Sequence, residues 1–239
     1  MPRKDGRDPG DLRPLRFERG FVKTAPGSVL ASFGQTRVLC TATWTDGVPV
    51  FLQGRGNGWL TAEYGMLPGS TAQRKTRDRG NKIDGRSVEI QRLIGRSLRS
   101  VVDLTKLTER TIWIDCDVLQ ADGGTRTAAI SGAYVALYDL LVAMNQARIL
   151  RGWPLKGQVG AVSVGVVGGT SVCDLDYEED SKAEVDMNLV MTGEGKFVEV
   201  QGSAEAACFD RATLERMLSI GEHAIQQILT AQRSVLEIR

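Results

Sequence analysis

The chain has 239 residues, of which 42% are hydrophobic and 25% charged, and its formal net charge is +1; these values are ordinary for a soluble globular protein. No apolar run approaches about 18 residues, and the polar start at Met1 has no apolar signal core, so we expect no membrane partner and a cytoplasmic location. The single histidine, His223, argues against a multi-histidine metal site or a histidine-activated nucleophile. Four widely spaced cysteines indicate free thiols.

Charge is unevenly distributed along the chain. Residues 1–100 hold 18 Lys and Arg against 9 Asp and Glu, whereas residues 101–239 hold 12 against 20. An asymmetry of this size predicts one surface that faces a polyanion and a separate acidic site.

The N-terminal part of the chain reads as a basic segment followed by strands. Residues 1–14 are basic and interrupted by proline and glycine, which predicts a mobile arm. Strands are expected at about 28–33 and 36–43, with Gly34 in the hairpin turn between them, and an extended stretch at 59–66.

A polar stretch at 70–85 follows these strands and contains almost no apolar side chain. A loop of this length inside a compact domain is usually functional or disordered. Its basic character makes it a candidate for contact with a polyanion. The basic residues are Arg74, Lys75, Arg77, Arg79 and Lys82.

The next element is an amphipathic helix predicted at about 86–102. Its two faces are an apolar one with Ile90, Ile94, Leu98 and Val101, and a basic one with Arg92, Arg96 and Arg99. The basic face is either simply solvated or placed to bind successive phosphates, and few carboxylates lie within helical reach of it.

The motif Asp122-Gly-Gly-Thr-Arg-Thr127 stands between a predicted strand, 112–119, and a predicted helix, 125–150. Two glycines at such a corner expose backbone N–H groups at the start of the helix, where its dipole favours an anion, and Arg126 adds a guanidinium. The motif therefore predicts a phosphate cradle. The alternative is an ordinary tight turn with Thr125 or Asp122 as the N-cap.

The second part of the chain reads as strands followed by one helix. Strands are expected at 160–167, 170–174, 184–192 and 196–201, before a helix from Asp210 to about residue 231. With the strands and helices of the first part, this order predicts an α+β fold in which helices cover the faces of mixed sheets. The stretch from Trp153 to Gly160 is the best candidate for a boundary between two halves.

An acidic cluster precedes and enters the strand at 184–192. Alternation along that strand places Asp186 on its polar face, and Asp180 lies in the turn before it. Two carboxylates presented in this way could hold a Mg²⁺ ion shared with a phosphate, although a solvated acidic turn is the simpler interpretation. A cradle, a carboxylate pair and no histidine base together favour a nucleophile that is already anionic, such as inorganic phosphate, so phosphorolysis fits better than hydrolysis.

Several longer motifs closely resemble the ribonuclease PH family of phosphorolytic exoribonucleases. The resemblance runs from about residue 12 to 225, and the string from Asp115 to Thr127 is its most specific part. The matching segments are Gly34-Gln-Thr-Arg-Val-Leu-Cys40, Gly58-Trp-Leu-Thr-Ala-Glu-Tyr-Gly-Met-Leu-Pro68, Gly85-Arg-Ser-Val-Glu-Ile-Gln-Arg-Leu-Ile-Gly-Arg96, Asp115-Cys-Asp-Val-Leu-Gln-Ala-Asp-Gly-Gly-Thr-Arg-Thr127, Tyr177-Glu-Glu-Asp-Ser-Lys-Ala-Glu-Val-Asp-Met-Asn188 and Val200-Gln-Gly-Ser-Ala-Glu205, with Gly27-Ser-Val-Leu before them.

The resemblance implies a single domain over 15–239, built from pseudo-related halves at about 15–153 and 158–231, and a hexamer assembled from three dimers. It implies phosphorolytic trimming of tRNA precursors and other RNA 3′ ends, with inorganic phosphate as co-substrate and Mg²⁺ or Mn²⁺ as cofactor. By motif, the resemblance implies that phosphate is bound by Arg86, Gly124, Thr125 and Arg126, and that the catalytic pair holding the metal ion is Asp180 and Asp186. It also implies two sets of RNA contacts. RNA phosphates near the 3′ end would contact Arg92 and Arg96, and the acceptor stem would contact Arg74, Lys75, Arg77 and Arg79.

The chain departs from the family pattern at Gly69, where arginine is frequent, and at Thr108 and Ala206, where glycine is common. Three alternatives share the fold. One is a non-catalytic RNA-binding subunit of an exosome-type ring, which tends to lose the phosphate arginines and acidic pair kept here. Another is a polynucleotide phosphorylase-like enzyme acting on other RNAs, which has a much longer chain. The third is a hydrolytic ribonuclease.

Overall fold

The structure is a computed structural model that describes residues 3–77, 84–205 and 208–238. Over these residues the chain forms nine β-strands and four α-helices, which confirms the α+β class. The strands are β1 (Leu15–Arg19), β2 (Gly27–Phe33), β3 (Thr36–Asp46), β4 (Trp59–Met66), β5 (Arg110–Gln120), β6 (Val159–Val167), β7 (Thr170–Cys173), β8 (Val185–Thr192) and β9 (Phe197–Ala204). The helices are α1 (Gly85–Ser100), α2 (Thr125–Gln146), α3 (Tyr177–Asp180) and α4 (Arg211–Leu236).

The first sheet has five strands in the order β1-β2-β3-β5-β4. Neighbouring strands are antiparallel except β4 and β5, which run parallel and are joined through α1. Side chains alternate along the strands: Ile112, Ile114 and Val118 on β5 are fully buried, whereas Asp117 is exposed. The helices α1 and α2 pack against this sheet, so its apolar side chains form part of the core.

Helix α2 is the central element of the core. It packs on β2 and β3 of the first sheet and on β6 of the second, which explains why it is apolar on more than one face. At Gly132 the backbones approach so closely that a Cβ atom would lie 2.7 Å from Cβ of Ala31 and 2.9 Å from Sγ of Cys40. By length and composition α2 could cross a membrane, but 78% of its most apolar window is buried inside the protein, as in a core helix.

The second sheet has four antiparallel strands in the order β7-β6-β8-β9. Its strand β6 is buried between α2 and α4. The fully buried Gln232 of α4 joins these layers, because its amide nitrogen donates to the carbonyls of Ser131 in α2 and Val159 in β6 at 3.0 Å each. One continuous hydrophobic cluster therefore includes side chains from both sheets.

The predicted boundary falls between the two sheets, at the crossing from α2 to β6. The division into halves at 15–153 and 158–231 stays a prediction, since both halves contribute to the same core. Within this frame α2 ends at Gln146 rather than at residue 150, and Arg148 after it adopts a left-handed backbone with φ of 57°.

The mobility expected for residues 1–14 stays a prediction, but the described part of this N-terminal segment makes long-range contacts. Its described residues lie against the second half of the chain, where the side chains of Arg3 and Arg13 are each only 4% exposed. They pair with Glu179 and Asp174, respectively, at 2.7 and 2.6 Å. These contacts could not be predicted, because the carboxylate partners of the two arginines lie more than 150 residues away, which local composition does not reveal.

Candidate active site

A narrow cleft of about 50 Å³ lies where α2 begins, between the two sheets. This volume suits a small ion rather than a drug-sized molecule, for which pockets of about 300 Å³ or more are usual. Larger cavities of about 360 to 430 Å³ occur elsewhere on the surface, so chemistry rather than size singles out this cleft. Its lining residues are Arg86, Gly124, Thr125, Arg126, Ser163, Asp180, Asp186 and Asn188.

The glycine corner, defined here as residues 122–127, forms one wall of the cleft. Gly123 and Gly124 both have a left-handed backbone, with φ of 73° and 63°. A Cβ atom at Gly123 would lie 2.4 Å from the carbonyl oxygen of Leu175, so this position has no room for a side chain. Gly124 is the N-cap of α2 and supplies no side-chain cap, so the first N–H groups of the helix face the cleft uncapped.

Thr125 adds a hydroxyl to this wall. The buried hydroxyl of Tyr64 donates to Oγ1 of Thr125 at 2.8 Å. Since that oxygen already accepts a hydrogen bond, the Thr125 proton is available to donate to a group in the cleft. Burial raises the pKa of Tyr64, which keeps its hydroxyl protonated and in the donor role.

Arg126 is held by two side chains outside the cleft lining. Its Nη1 donates to Oε1 of Glu89 at 3.4 Å and to Oε1 of Gln201 at 3.2 Å, and Gln201 in turn donates to Glu89 at 3.0 Å. Glu89 belongs to α1 and Gln201 to β9, so this triad connects the two halves across the cleft. One end of the guanidinium is fixed. Among the described residues Nε and Nη2 have no hydrogen-bond partner, so they could make a bidentate contact with an oxyanion.

Two carboxylates form the opposite wall. Asp186 lies on β8 and Asp180 ends α3, a single helical turn that the sequence analysis did not predict. A capping box starts this turn: Oδ1 of Asp176 accepts from the Glu179 amide at 2.9 Å, and Oε2 of Glu179 accepts from the Asp176 amide at 3.1 Å. The Asp-x-x-Glu spacing was the signal that could have revealed α3.

The cleft shifts both carboxyl groups in the same direction. Burial raises the pKa of Asp186, and repulsion from Asp180 adds to the effect. Protein atoms around the carboxyl also raise the pKa of Asp180, although the residue as a whole is exposed at the mouth of the cleft. For both carboxyl groups the positive charges of Arg86 and Arg126 lower the pKa and so oppose the effect of burial. The two arginines and the two carboxylates therefore lie close enough to interact electrostatically.

The carboxylates of this cleft are few, as the site of a hard divalent cation allows. Within residues 3–77, 84–205 and 208–238, no group of three or more His, Cys, Asp or Glu side chains is placed to bind a metal ion. Mg²⁺ needs fewer protein ligands, since it usually keeps several waters and binds one or two carboxylates together with substrate phosphates. Asp180 and Asp186 lie together beside the anion cradle, where burial raises the pKa of each carboxyl, and they fit that pattern.

Those predicted RNA-binding residues that the structure describes lie outside the cleft. Arg92 and Arg96 are exposed on α1 and line a groove of about 430 Å³, in which Arg96 pairs with Glu199 of β9 at 2.8 Å. In the polar loop Arg74 and Arg77 are exposed, and Nζ of Lys75 lies 3.6 Å from Asp84. Arg79, Lys82 and Ala206 fall outside the described residues.

Ser163 and Asn188 also line the cleft, although the sequence analysis did not select them as site residues. Glu89, Gln201 and Arg13 were not selected either. Asn188, Glu89 and Gln201 stand within strings quoted for the family resemblance, whereas Ser163 and Arg13 do not. The contacts of Glu89, Gln201 and Arg13 join elements that are distant in sequence. His223 is exposed on α4 and does not line the cleft.

An uncapped helix start, two guanidinium groups and a pair of carboxylates in one narrow cleft define a site of the phosphoryl-transfer class. Two models of the 3′ exoribonuclease family match the chain, domain 1 over residues 11–143 and domain 2 over residues 157–224. The chain belongs to this family.

Curated relatives agree with this assignment. Ribonuclease PH of Synechococcus sp. (strain JA-2-3B'a(2-13)) is 56% identical over 239 residues, covering 99% of this chain and 98% of the relative. Ribonuclease PH of Synechococcus sp. (strain JA-3-3Ab) is 55% identical with the same coverage. The resemblance to the ribonuclease PH family is confirmed, and the chain is a phosphorolytic 3′ exoribonuclease.

Solved structures show the same fold at lower identity. Rice (Oryza sativa) Rrp46 matches with a TM-score of 0.79 and 21% identity, covering 98% of this chain and 100% of that one. The Archaeoglobus fulgidus exosome with RNA bound to the active site matches with a TM-score of 0.80 and 21% identity, covering 95% of this chain and 91% of that one. At this identity the likeness shows the fold alone.

Proposed function

We propose that the chain trims the 3′ ends of tRNA precursors, and that orthophosphate bound in the cleft is the attacking group. The observation that carries the proposal is the convergence of Arg86, Arg126 and the uncapped start of α2 on a space sized for a small ion. The same space borders Asp180 and Asp186, so an anion held there would lie beside the carboxylates.

In the proposed reaction, Arg86 and Arg126 hold the phosphate while the Thr125 hydroxyl and the N–H groups of the glycine corner orient it. An oxygen of the phosphate forms a bond to the phosphorus of the last phosphodiester, and the bond from that phosphorus to the 3′ oxygen of the preceding nucleotide breaks. The 3′ oxygen leaves as a hydroxyl with the proton that the attacking hydrogen phosphate gives up, and the terminal nucleotide leaves as a nucleoside diphosphate. No histidine base is needed, because the nucleophile is already an anion.

Asp180 and Asp186 would hold a divalent cation, Mg²⁺ or Mn²⁺, next to the phosphate. When bound, this ion supplies positive charge that offsets charge developing on the scissile phosphoryl group. Arg86 and Arg126 lower the pKa of both carboxyl groups and so favour the charged form that would bind the cation.

The RNA would approach along the basic side of the molecule. Arg92 and Arg96 lie on the exposed face of α1, whose first turn carries Arg86. We assign them to RNA phosphates near the 3′ end, and Arg74, Lys75, Arg77 and Arg79 to the acceptor stem. A hexamer assembled from three dimers and a cytoplasmic location complete the proposal.

A direct test uses a tRNA precursor with extra 3′ nucleotides, incubated with and without inorganic phosphate, beside a sizing run of the protein. We expect nucleoside diphosphates that form only with phosphate, and a mature 3′ end that resists further trimming. Nucleoside monophosphates, or trimming without phosphate, would contradict the proposal. Equal activity on an unstructured RNA of the same length would contradict the tRNA assignment alone.

A further inference from the structure

The N-terminal segment contacts the residue that directly precedes Asp180. Nε and Nη2 of Arg3 donate to the two carboxylate oxygens of Glu179, each at 2.7 Å, in the bidentate geometry that fixes both groups. The Arg3 side chain is only 4% exposed and that of Glu179 13%, so water screens this pair weakly. Glu179 is therefore held from outside its own helix.

The helix that carries Asp180 needs such support. Its four residues make a single turn, and an isolated turn is unstable because nucleation fixes several dihedrals for one hydrogen bond. Glu179 closes the capping box with Asp176, and the Asp180 amide donates to the Asp176 carbonyl at 2.9 Å. Arg3 thus binds the Glu179 carboxylate, the group that closes the capping box of the turn ending at Asp180.

A second arginine of the segment connects the glycine corner to Asp174. Arg13 donates to the Asp174 carboxylate from its backbone amide, Nε and Nη2 at 2.8, 3.0 and 2.6 Å, and Nη1 donates to the Asp122 carbonyl in the glycine corner. Asp174 is fully buried and has φ of 49°, a left-handed conformation that a non-glycine residue keeps only when its surroundings impose it. Its carbonyl also accepts from Arg3 at 3.1 Å.

We propose that Arg3 and Arg13, with their partners Glu179 and Asp174, form a strut that positions Asp180 against the glycine corner. These four are positioning residues, since they act through Asp180 and the corner rather than by touching substrate. The inference rests on the proposed function, because it assigns Asp180 to a divalent cation. It adds that the N-terminal segment sets the affinity of that site.

A neighbouring ion pair provides a matched control. Nζ of Lys4 lies 2.8 Å from Oε2 of Glu178, one residue along both the segment and the helix. The Lys4 side chain is 80% exposed and that of Glu178 is 49% exposed, so this pair is solvated. A charge lost at Lys4 alters the same segment without altering the strut.

The test compares Arg3→Met, Arg3→Lys and Lys4→Met with the unmodified chain. Binding of Mn²⁺ in the presence of inorganic phosphate is measured from the spin-resonance signal of free Mn²⁺, beside kcat, the phosphate KM and thermal unfolding. We expect Arg3→Met to weaken Mn²⁺ binding and lower kcat by about tenfold, the effect typical of groups that orient metal ligands, with little change in phosphate KM. Arg3→Lys should recover part of the loss, and Lys4→Met should match the unmodified chain.

The strut is contradicted if Arg3→Met unfolds cooperatively, binds Mn²⁺ normally and keeps its kcat. Should Arg3→Met fail to fold, Glu179→Gln replaces it with the same expected losses, since the variant keeps the size of the side chain and removes its charge. Asp180→Asn is measured in parallel. If it binds Mn²⁺ and turns over normally, the proposed function fails; if it loses both while the strut variants lose neither, only the strut fails.

Discussion

The two walls of the cleft are built in different ways. The glycine corner is local: six consecutive residues supply the backbone conformation, the helix start, a hydroxyl and a guanidinium. The carboxylate wall is assembled from distant parts, because Asp186 comes from β8, Asp180 from a single turn, and the support for that turn from the first 13 residues. In the proposed function, anion binding therefore depends mainly on backbone geometry, whereas binding of the proposed divalent cation depends on tertiary contacts.

The energetics of the walls differ in the same sense. Helix dipole and N–H groups favour an anion at the corner without desolvating a charge of the protein. The carboxylates are charged at neutral pH in a partly buried cleft, where burial raises the pKa of both Asp180 and Asp186 and repulsion from Asp180 adds to the shift at Asp186. The second wall therefore opposes folding locally and is expected to be the more sensitive to substitution.

The largest effect is expected at Asp180. Asp180→Asn should lower kcat by about 10³-fold, on the scale of a lost electrostatic contact in a transition state, while RNA binding persists. Steady-state trimming and a separate RNA-binding titration measure the two. Glu178→Gln, an exposed change on the same helix, is the control. Loss of binding together with turnover would indicate a structural role for Asp180 instead.

The second-largest effect on the trimming rate is expected at Arg126. Arg126→Ala should cost about 3–4 kcal/mol of barrier, or about 10²–10³ in rate, because a charged donor to the attacking phosphate is lost. Trimming is assayed at saturating phosphate. Arg211→Ala is the control, because among the described residues the exposed Arg211 side chain of α4 pairs only with Glu215. Unchanged activity of Arg126→Ala would remove the glycine corner from the mechanism.

Gln201 should have an intermediate effect that is specific to phosphate. Gln201→Ala leaves Arg126 with only the longer contact to Glu89, so we expect the phosphate KM to rise by about tenfold, as for one hydrogen bond to a charged group, with kcat and the RNA KM nearly unchanged. Initial rates over a phosphate series give these constants. Equal rises in both KM values would show that Gln201 does not orient Arg126. Gln226→Ala, at an exposed position of α4, controls for a general loss of an amide side chain.

A smaller effect is expected at the RNA face. Arg96 already pairs with Glu199 at 2.8 Å, so replacing Arg92 by Ala should weaken RNA binding more than replacing Arg96. Each lost phosphate contact should reduce the slope of log K against log salt by about 0.7 for single-stranded RNA. Binding titrations over a salt series measure that slope, and identical slopes for Arg92→Ala and the unmodified chain would exclude Arg92 from the interface.

The smallest predicted effect concerns stability. A carboxyl whose pKa is higher in the folded than in the unfolded state opposes folding above that pKa, and the penalty is relieved as pH falls through it. Asp186→Asn should therefore raise Tm at neutral pH without divalent ions, by about 2–4 °C, the shift that ~1 kcal/mol produces in a domain of this size. The gain should vanish as pH falls.

A carboxyl with the opposite shift provides the control for that stability measurement. Hydrogen bonds from Thr213 lower the pKa of Asp210, which caps α4, so Asp210→Asn should not raise Tm. An equal rise in both variants would contradict the electrostatic explanation.

The sequence predicted the features that are local. Alternation and helical spacing predicted most strands and the long helices α1, α2 and α4. The Gly-Gly corner could be recognised because its conformation depends on neighbouring residues. Asp186 was placed by strand parity. What could not be predicted were contacts between distant segments: Arg3 and Arg13 with their buried carboxylates, and Glu89 and Gln201 around Arg126. An arginine in a polar, glycine-containing stretch has the same local signature whether it is solvated or buried in an ion pair.

The proposed reaction depends most on orthophosphate being the group that attacks the RNA. The most direct measurement follows ³³P-labelled orthophosphate during trimming of unlabelled RNA, with products separated by chromatography and degraded to locate the label. The account predicts label in the terminal phosphoryl group of every nucleoside diphosphate released, at the specific activity of the added phosphate. Unlabelled mononucleotides released at the same rate would contradict it.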